Sequence, residues 1–290
     1  CQLADLLTLI NLFMLNENPV FRSLYRFKKV FQNFGSRFTK HYYCNICNTP
    51  VSENVPICPN GASLEDLSKK GSKNYFLELS VVTQLENLFS RSEFRDGLMH
   101  RHERTKRQSD NIEDVYDSEM YKTLSSPGGP LSKPFENNIS FTLNTDGVPI
   151  FKSSTFSIWP IFLMVNELPY KMRKNQNDML LCGLWYGQNK PLIHLFCQPL
   201  HQAMMELEKG VELKLTNGST SETVPVRVFL FCLSCDTPAR SLMLNMNQHN
   251  GEFACPKCLQ KGCNHRTSAG GNIRVFPYDT QLPGMPERSV

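Results

Sequence analysis

The chain has 290 residues, enough for one large domain or two ordinary ones. Hydrophobic residues make up 40% of it and charged residues 20%, a composition that supports a buried core and excludes a wholly disordered polyelectrolyte. A net charge of +4 neither requires nor excludes a nucleic-acid partner, so local basic segments are more informative than the total. Because the chain begins at Cys1 and ends in a polar segment at Val290, we expect it to be a piece of a longer protein or the product of a broken reading frame.

The 11 cysteines include two Cys-x-x-Cys pairs with further Cys or His nearby. Without a signal-peptide pattern, this arrangement indicates metal binding in a reducing compartment rather than a disulfide framework. The apolar segment Leu3–Leu15 is interrupted by Asp5 and is too short to span a bilayer. We therefore expect no membrane partner.

Residues 1–40 are predicted to form two helices separated at Asn16–Pro19. The second helix carries a basic face formed by Arg22, Arg26 and Lys29. This face has two interpretations, a DNA-contacting surface or an ordinary solvated face, and the frequency of solvated basic faces favours the second.

The next segment has the spacing Cys-x2-Cys-x10-Cys, at Cys44, Cys47 and Cys58. A zinc ribbon would place a fourth cysteine at position 61, where this chain has Gly61, so His41 is the candidate fourth ligand. The pattern favours a zinc-ribbon-like site, and the alternative is a degraded site that holds no metal.

Residues 64–133 are expected to form a helical and basic linker region, following a first region at 1–63. Helical spacing predicts a helix within Tyr75–Phe94, and Arg101–Arg107 is a basic segment that either contacts phosphates, acts as a nuclear address or is simply solvated. The turn-rich stretch Ser125–Lys133 predicts a linker, which places a domain boundary before residues 134–290.

After this linker the pattern predicts three strands, at Ile139–Asn144, Thr155–Val165 and Met179–Trp185. A helix follows, opened by Pro199 and closed by Gly210. The apolar run Val224–Leu233 is then typical of a strand that is buried on both faces. Periodicity alone therefore predicts a mixed α/β domain.

Two of these predicted strands are followed by an aspartate, Asp146 after the first and Asp236 after the last. Carboxylates at the ends of strands are suited to bind divalent cations, and a pair of bound metals can activate water in phosphodiester chemistry. Taken singly, each residue has an ordinary alternative role, a turn at Asp146-Gly147 and a helix cap at Asp236.

The second cysteine segment contains Cys255, Cys258, Cys263 and His265, a compact set of four zinc-type ligands. A rival set combines the pair Cys255 and Cys258 with Cys232 and Cys235. We rank the rival lower because Cys232 is expected to lie inside a buried strand.

Several motifs together resemble the transposases of CACTA-type (En/Spm-like) DNA transposons. They are TDG at Thr145–Gly147, SIWPIFLMVNELPYKMR at Ser157–Arg173, QPL at Gln198–Leu200, and DTPA followed by ACPKC, which ends at Cys258. The resemblance is best over residues 111–258 and is carried by the order and spacing of these motifs rather than by any one of them.

This resemblance implies a DDE/D transposase of the nucleus that cuts and joins DNA at transposon ends. It implies an RNase H-like core, here incomplete and with a Cys-rich insertion, a magnesium or manganese site, and a structural zinc. Asp146 and Asp236 match the first and second catalytic acids of that family. A homo-oligomer is a further expectation.

The third catalytic acid of that family lies downstream of the Cys-x-x-Cys segment, and we assign its role to neither Asp279 nor Glu287. We therefore expect the 290-residue chain alone to be inactive in strand transfer. The alternative hypothesis is a non-catalytic, transposase-derived protein that binds zinc and DNA.

Overall fold

The computed structural model describes residues 38–69, 74–132, 137–149, 157–217 and 220–277. The chain forms two compact units, Cys1–Cys232 and Leu233–Val290. Most of the expected N-terminal helical region, including its basic face, lies outside the described residues, and its last residues, 38–40, form a strand where a helix was expected. Within the described ranges, no helix is both long and apolar enough to cross a lipid bilayer.

The first unit opens with short elements around the first cysteine segment and continues with small helices. In chain order these are β1 (Phe38–Tyr43), β2 (Pro50–Val51), α1 (Leu64–Ser68), β3 (Tyr75–Leu79), α2 (Val81–Phe89), α3 (Ser92–Leu98), α4 (His100–Glu103), a 3-10 turn (Val115–Asp117) and α5 (Glu119–Ser125).

The remaining elements are mainly longer strands, with one long helix among them. They are β4 (Ile139–Thr145), β5 (Val148–Pro149), β6 (Ser157–Val165), α6 (Tyr170–Arg173), β7 (Met179–Gly187), α7 (Ile193–Phe196), α8 (Gln198–Lys209), β8 (Val211–Asn217), β9 (Thr220–Val226) and β10 (Val228–Leu233). The second unit contains α9 (Thr237–Met243), β11 (Cys263–Arg266) and β12 (Asn272–Val275).

One mixed sheet organises the first unit, with the strand order β10-β4-β6-β7-β3-β1-β2 and with β5 paired to β6. The pairs β4–β6, β6–β7, β7–β3, β3–β1 and β1–β2 are antiparallel. The N–H of Ile139, the first residue of β4, donates to the C=O of Arg227, which directly precedes β10. Because β4 and β10 begin at the same edge of the sheet, they run in the same direction.

The sequence pattern correctly predicted the central elements of this sheet. Strands β4, β6 and β7 match the three predicted strands to within two residues at each end. Helix α8 has its proline in the first turn and ends at Gly210, whose positive φ of 112° suits a residue without a side chain. Its Leu200, Met204 and Leu207 are buried as the spacing predicted.

The helix predicted within Tyr75–Phe94 is α2, and the residues on either side of it form β3 and the start of α3, which were not expected. Aromatic and aliphatic residues at 75–79 favour a strand, and β3 pairs with both β1 and β7. Ser80 then starts α2, since its Oγ accepts a hydrogen bond from the N–H of Thr83.

The predicted linker Ser125–Lys133 also differs from expectation where it is described. Leu131 is buried with Tyr116 and Tyr121, and Phe229 and Phe231 of β10 pack against this cluster. The expected boundary before residue 134 thus falls inside the first compact unit. A Gly/Pro-rich composition produced a tight turn on the sheet here, where a spacer was expected.

The apolar run Val224–Leu233 is not one strand buried on both faces. It is divided at Arg227 between β9 and β10, and β10 alternates between half-buried and exposed positions after Val228. Cys232 is exposed, so the expectation that it lies inside a buried strand is wrong. Strand β10 lies at the end of the sheet order among the described residues, which leaves its side chains less covered.

Candidate active site and metal centre

Asp146 directly follows β4 and is exposed to solvent. Its Oδ1 accepts a hydrogen bond of 2.7 Å from the N–H of Gly147, the local turn that the alternative interpretation predicted. A Cβ on Gly147 would come within 2.5 Å of Cζ2 of Trp159, a buried residue of β6. The turn that carries the Asp146 carboxylate is therefore pressed against the sheet, and only glycine fits at position 147.

Strand β4 is held in place by hydrogen bonds to Asn166 and Glu167, two buried polar residues that directly follow β6 in the chain. The carboxylate of Glu167 accepts hydrogen bonds from the N–H of Ser140 at 2.8 Å, from its hydroxyl at 2.7 Å and from the hydroxyl of Tyr121 at 3.0 Å. Asn166 accepts from the hydroxyl of Thr142 at 2.7 Å and donates to that of Ser140 at 3.1 Å. Both faces of β4 are thus buried, one apolar and one hydrogen-bonded.

Burial governs the charge of Glu167, whose side chain is fully enclosed. Removal from water raises the pKa of this carboxyl above its ordinary value, and the hydrogen bonds from Ser140 only partly oppose that shift. Burial likewise raises the pKa of Tyr121 well above that of a free phenol. Glu167 and Tyr121 thus form a buried hydrogen-bonded pair behind β4.

The end of the same sequence motif is held by an arginine. Arg173 of α6 forms a bidentate ion pair with Asp114, with nitrogen–oxygen distances of 2.6 and 2.7 Å, and its Nε donates to the C=O of Leu168. It also donates to the hydroxyl of Tyr116, which in turn donates to the C=O of Asn166. The stretch Ser157–Arg173 thus serves to bind the residues before β4 to the sheet.

Asp236 belongs to the second unit, where it forms the N-cap of α9. Its Oδ1 accepts a hydrogen bond of 2.7 Å from the N–H of Ala239, and Pro238 lies in the first turn. Its side chain is exposed. The capping role that the alternative interpretation predicted is therefore present, and the second oxygen of the carboxylate remains available to other ligands.

The first cysteine segment brings three thiols together, as the spacing predicted. The sulfur atoms of Cys44, Cys47 and Cys58 all lie within 4.8 Å of one another, and this is the one such group of metal-ligating residues in the described parts of the chain. Cys44 and Cys58 are buried. A hydrogen bond with the Thr49 hydroxyl, 2.8 Å from the sulfur, lowers the pKa of Cys47 to about 6. Such a cluster can hold a metal such as zinc.

His41 does not join this cluster. Its Nε2 lies 2.6 Å from Oε2 of Glu78 on the neighbouring strand β3, and its ring stacks on Phe76 at 5.0 Å between centroids. The antiparallel register places His41 opposite Phe76, so the ring is directed along the sheet surface. His41 thus contributes to β1–β3 pairing in this structure, and its role as a fourth ligand stays a prediction.

In the second unit the structure brings together half of the second predicted ligand set. The sulfur of Cys258 lies 3.4 Å from that of Cys255. Cys263 and His265 are exposed residues of β11, and these four do not form a group of three or more close ligands among the described residues. Gly262 lies between Cys258 and Cys263 in the chain. Only glycine fits there without a shift, since an added Cβ would meet Arg274 and Phe276 at 2.8 Å.

Two side chains of the basic segment Arg101–Arg107 form ion pairs within the fold, which a fully solvated segment would not do. Arg104 pairs with Asp117 through two hydrogen bonds of 3.1 and 3.3 Å, and Lys106 lies 3.5 Å from the same carboxylate. Burial raises the pKa of Asp117, but hydrogen bonds from Arg104 and from the backbone of Glu113 and Asp114 outweigh it and hold the pKa below its ordinary value. The Arg104 side chain therefore stabilises the fold through this ion pair.

Comparison with known protein families identifies the chain. The model of the transposase family tnp2 matches residues 111–283, more than half of the sequence. This chain belongs to the tnp2 transposase family. A comparison with curated proteins gives no significant match. The tnp2 match includes Asp146, Asp236, Cys255 and Cys258, and it begins after the Cys44 cluster.

The network behind β4 lies within the tnp2 match, and sequence reasoning did not assign it. Asn166 and Glu167 appeared only as part of a family-like motif, without a role. A signal was present, because a polar Asn-Glu pair directly after a nine-residue strand must either face solvent or find buried partners. The two partners of Glu167, Ser140 and Tyr121, lie 27 and 46 residues from it along the chain, and no local pattern reveals contacts over such a separation.

Proposed function

We propose that this chain forms part of a DNA transposase that cleaves and joins DNA with magnesium or manganese, through the carboxylates of Asp146 and Asp236. The observation that carries the proposal is the position of these acids in a member of the tnp2 family. Asp146 directly follows β4, Asp236 is the third residue after β10, and β4 and β10 are neighbours in the sheet. Carboxylates after neighbouring strands are suited to hard divalent cations.

We further propose that residues 137–233 are the opening part of an RNase H-like core. The order of the elements supports this, since three antiparallel neighbours, β4, β6 and β7, are followed by α8 and then by β10 beside β4. The hairpin β8–β9 lies between α8 and β10 as an addition to that order. The motifs at Thr145–Gly147 and Ser157–Arg173 favour the CACTA-type subgroup.

The chemistry requires metal ions because two carboxylates alone would repel each other and the reacting phosphate. Bound divalent ions would offset this repulsion and stabilise the charge that develops on the reacting oxygens of the phosphodiester. Asp146 and Asp236 would each contribute carboxylate oxygens. Asp279 and Glu287, the acids nearest to the expected third position, lie outside the described residues, and we assign the third role to neither.

The cysteine sites are proposed to be structural. A zinc ion at Cys44, Cys47 and Cys58 would stabilise the turn between β1 and β2, and Cys255 and Cys258 would share a second zinc with Cys263 and His265. The expected partner is transposon-end DNA, the expected location is the nucleus, and a homo-oligomer is the expected assembly.

A second candidate function is that of a non-catalytic, transposase-derived protein that binds zinc and DNA. The observation that favours it is that both aspartates have local hydrogen-bonding roles, Asp146 with Gly147 and Asp236 with Ala239. Such roles explain the residues without any metal.

Cleavage of labelled transposon-end duplexes distinguishes the two functions. In a protein that also supplies the third acid, we expect cleavage that depends on Mg²⁺ or Mn²⁺ and is lost in Asp146→Asn and Asp236→Asn. Asp110→Asn is the matched control, because Asp110 is an exposed loop residue in the same unit as Asp146. DNA binding without cleavage, unaffected by the two aspartate substitutions, would favour the non-catalytic function and exclude the enzymatic one.

A further inference from the structure

An open pocket of about 420 Å³ lies beside α4 and α5 in the first unit. Three basic residues, Arg101, His102 and Lys122, line it together with the buried Tyr116 and Tyr121. Among the described residues that line the pocket, none is acidic. The pocket therefore has a basic lining that no acidic residue neutralises.

A hydroxyl group in this wall has no hydrogen-bond partner. Ser125, the last residue of α5, lines the pocket, and its Oγ is buried without a partner within the described part of the chain. Buried hydroxyls are satisfied in most proteins, and an exception commonly marks a place where a ligand or water belongs. Ser125 is thus a lining residue whose hydroxyl has no partner within the described residues.

The two long cationic side chains are differently constrained. The guanidinium of Arg101 donates to the C=O of Asn138 at 2.6 Å, which fixes it from one side. Lys122 is 58% exposed and lies 3.7 Å from Glu119, itself 97% exposed. An exposed pair of this kind contributes little, so the lysine can exchange Glu119 for a better anion at small cost.

Glu167 contacts one of the residues that line the pocket, since it accepts the hydroxyl hydrogen bond of Tyr121. Burial raises the pKa of Glu167, so its carboxyl keeps a proton to higher pH than that of an exposed glutamate.

We propose that this pocket binds a phosphate group of the DNA backbone. Phosphate oxygens only accept hydrogen bonds, and the lysine, arginine and serine side chains here can all donate. This inference rests on the proposed DNA-processing function and adds a contact point on the protein for the strand.

Binding of a short fluorescent duplex, measured by anisotropy at several salt concentrations, tests the pocket. We expect Lys122→Gln to weaken binding and to reduce the slope of log K against log salt by about one, the effect of one lost phosphate contact. Ser125→Ala should weaken binding by about tenfold to a hundredfold, as for a hydrogen bond to a charged acceptor. Its melting temperature should not fall, because the deleted hydroxyl has no partner within the described residues.

Lys209→Gln is the matched control, since Lys209 is a helical lysine paired at i,i+3 with Glu206 and similarly exposed at 64%. If both pocket variants bind DNA like the wild type, the pocket inference is wrong, while the cleavage assay continues to decide the proposed function. If inorganic phosphate stabilises the wild type but not Ser125→Ala, and DNA affinity is unchanged, the pocket serves small phosphates and DNA as the source is wrong. If neither variant changes the binding of DNA or of inorganic phosphate, the pocket binds no phosphate.

Discussion

The carboxylate of Glu167 holds Ser140 by both its backbone N–H and its hydroxyl, at 2.8 and 2.7 Å. This contact joins the second residue after β6 to the second residue of β4, the strand that leads to Asp146. Because the carboxylate is fully buried, the register of β4 depends on a polar contact that has no water to replace it. The position of β4, the strand that leads to Asp146, therefore depends on the hydrogen bonds of a side chain that can titrate.

The protonation of Glu167 makes stability depend on pH. The unfolded chain releases this proton near the ordinary glutamate pKa of about 4.3, whereas the folded protein keeps it to higher pH because burial raises the pKa. In that interval the folded state binds more protons, so its stability falls as pH rises towards the folded-state pKa. Glu167→Gln lacks this titration, so the stability of the variant relative to wild type should rise across the interval in denaturant unfolding.

The control for this prediction is Glu119→Gln, which removes the same charge from a side chain that is 97% exposed. Its stability difference from wild type should stay small and nearly independent of pH. A pH-independent difference for Glu167→Gln as well would show that Glu167 is ionised in the folded protein. Glu167→Ala should be much less stable at all pH values, by about 1–3 kcal/mol for each buried donor left without an acceptor.

Gly147→Ala should displace the Asp146 turn. The added Cβ would lie 2.5 Å from Trp159, so the turn or the indole ring must move, at a cost of about 1–3 kcal/mol typical of overpacking. Thermal unfolding should show this loss, and metal-dependent cleavage should fall with it. Gly187→Ala is the matched control, because its nearest contact would be an ordinary 3.4 Å to Trp185. Equal stability of the two variants would show that the turn is free to move.

The sequence predicted the part of the fold in which neighbouring residues determine the outcome. Strands β4, β6 and β7 and helix α8 followed from apolar periodicity and from Pro199 and Gly210, which act within a few residues. The addition of β3, β1 and β2 to the same sheet did not follow, since it depends on Leu77 pairing with Leu184 across more than 100 residues. Register over such distances is set by tertiary packing, which no local pattern contains.

The candidate sites show the same limit. The spacing of Cys44, Cys47 and Cys58 predicted their meeting, because a short turn brings such thiols together whatever surrounds it. His41 was equally near in sequence, but its position in β1 and its contact with Glu78 direct it elsewhere. Strand geometry alternates side chains between faces, so closeness in sequence does not make a residue a ligand.

One zinc per chain should be bound at the Cys44 cluster. Cys44→Ser and Cys58→Ser should each lower the zinc content by one equivalent, because serine does not replace a thiolate ligand. Element analysis of purified protein measures this, and a chelator should also make the turn between β1 and β2 susceptible to protease. Ile46→Ser is the control, since Ile46 is 75% exposed in the same turn and its replacement leaves all three thiols. Unchanged zinc content in Cys58→Ser would rule out the site.

Asp236 allows its two roles to be separated, because asparagine and alanine differ in only one of them. Asparagine caps a helix about as well as aspartate, whereas alanine loses the bond to the N–H of Ala239 and about 1 kcal/mol of stability. Asparagine is a poor substitute for a carboxylate that must balance the charge of divalent metal ions. If Asp236 is a metal ligand, Asp236→Asn should keep the stability of the wild type yet lose Mn²⁺ binding and cleavage.

Ser80→Ala, which removes the cap of α2, should lose similar stability to Asp236→Ala while cleavage is retained. Full cleavage by Asp236→Asn would reduce Asp236 to a helix cap and remove it from the catalytic site.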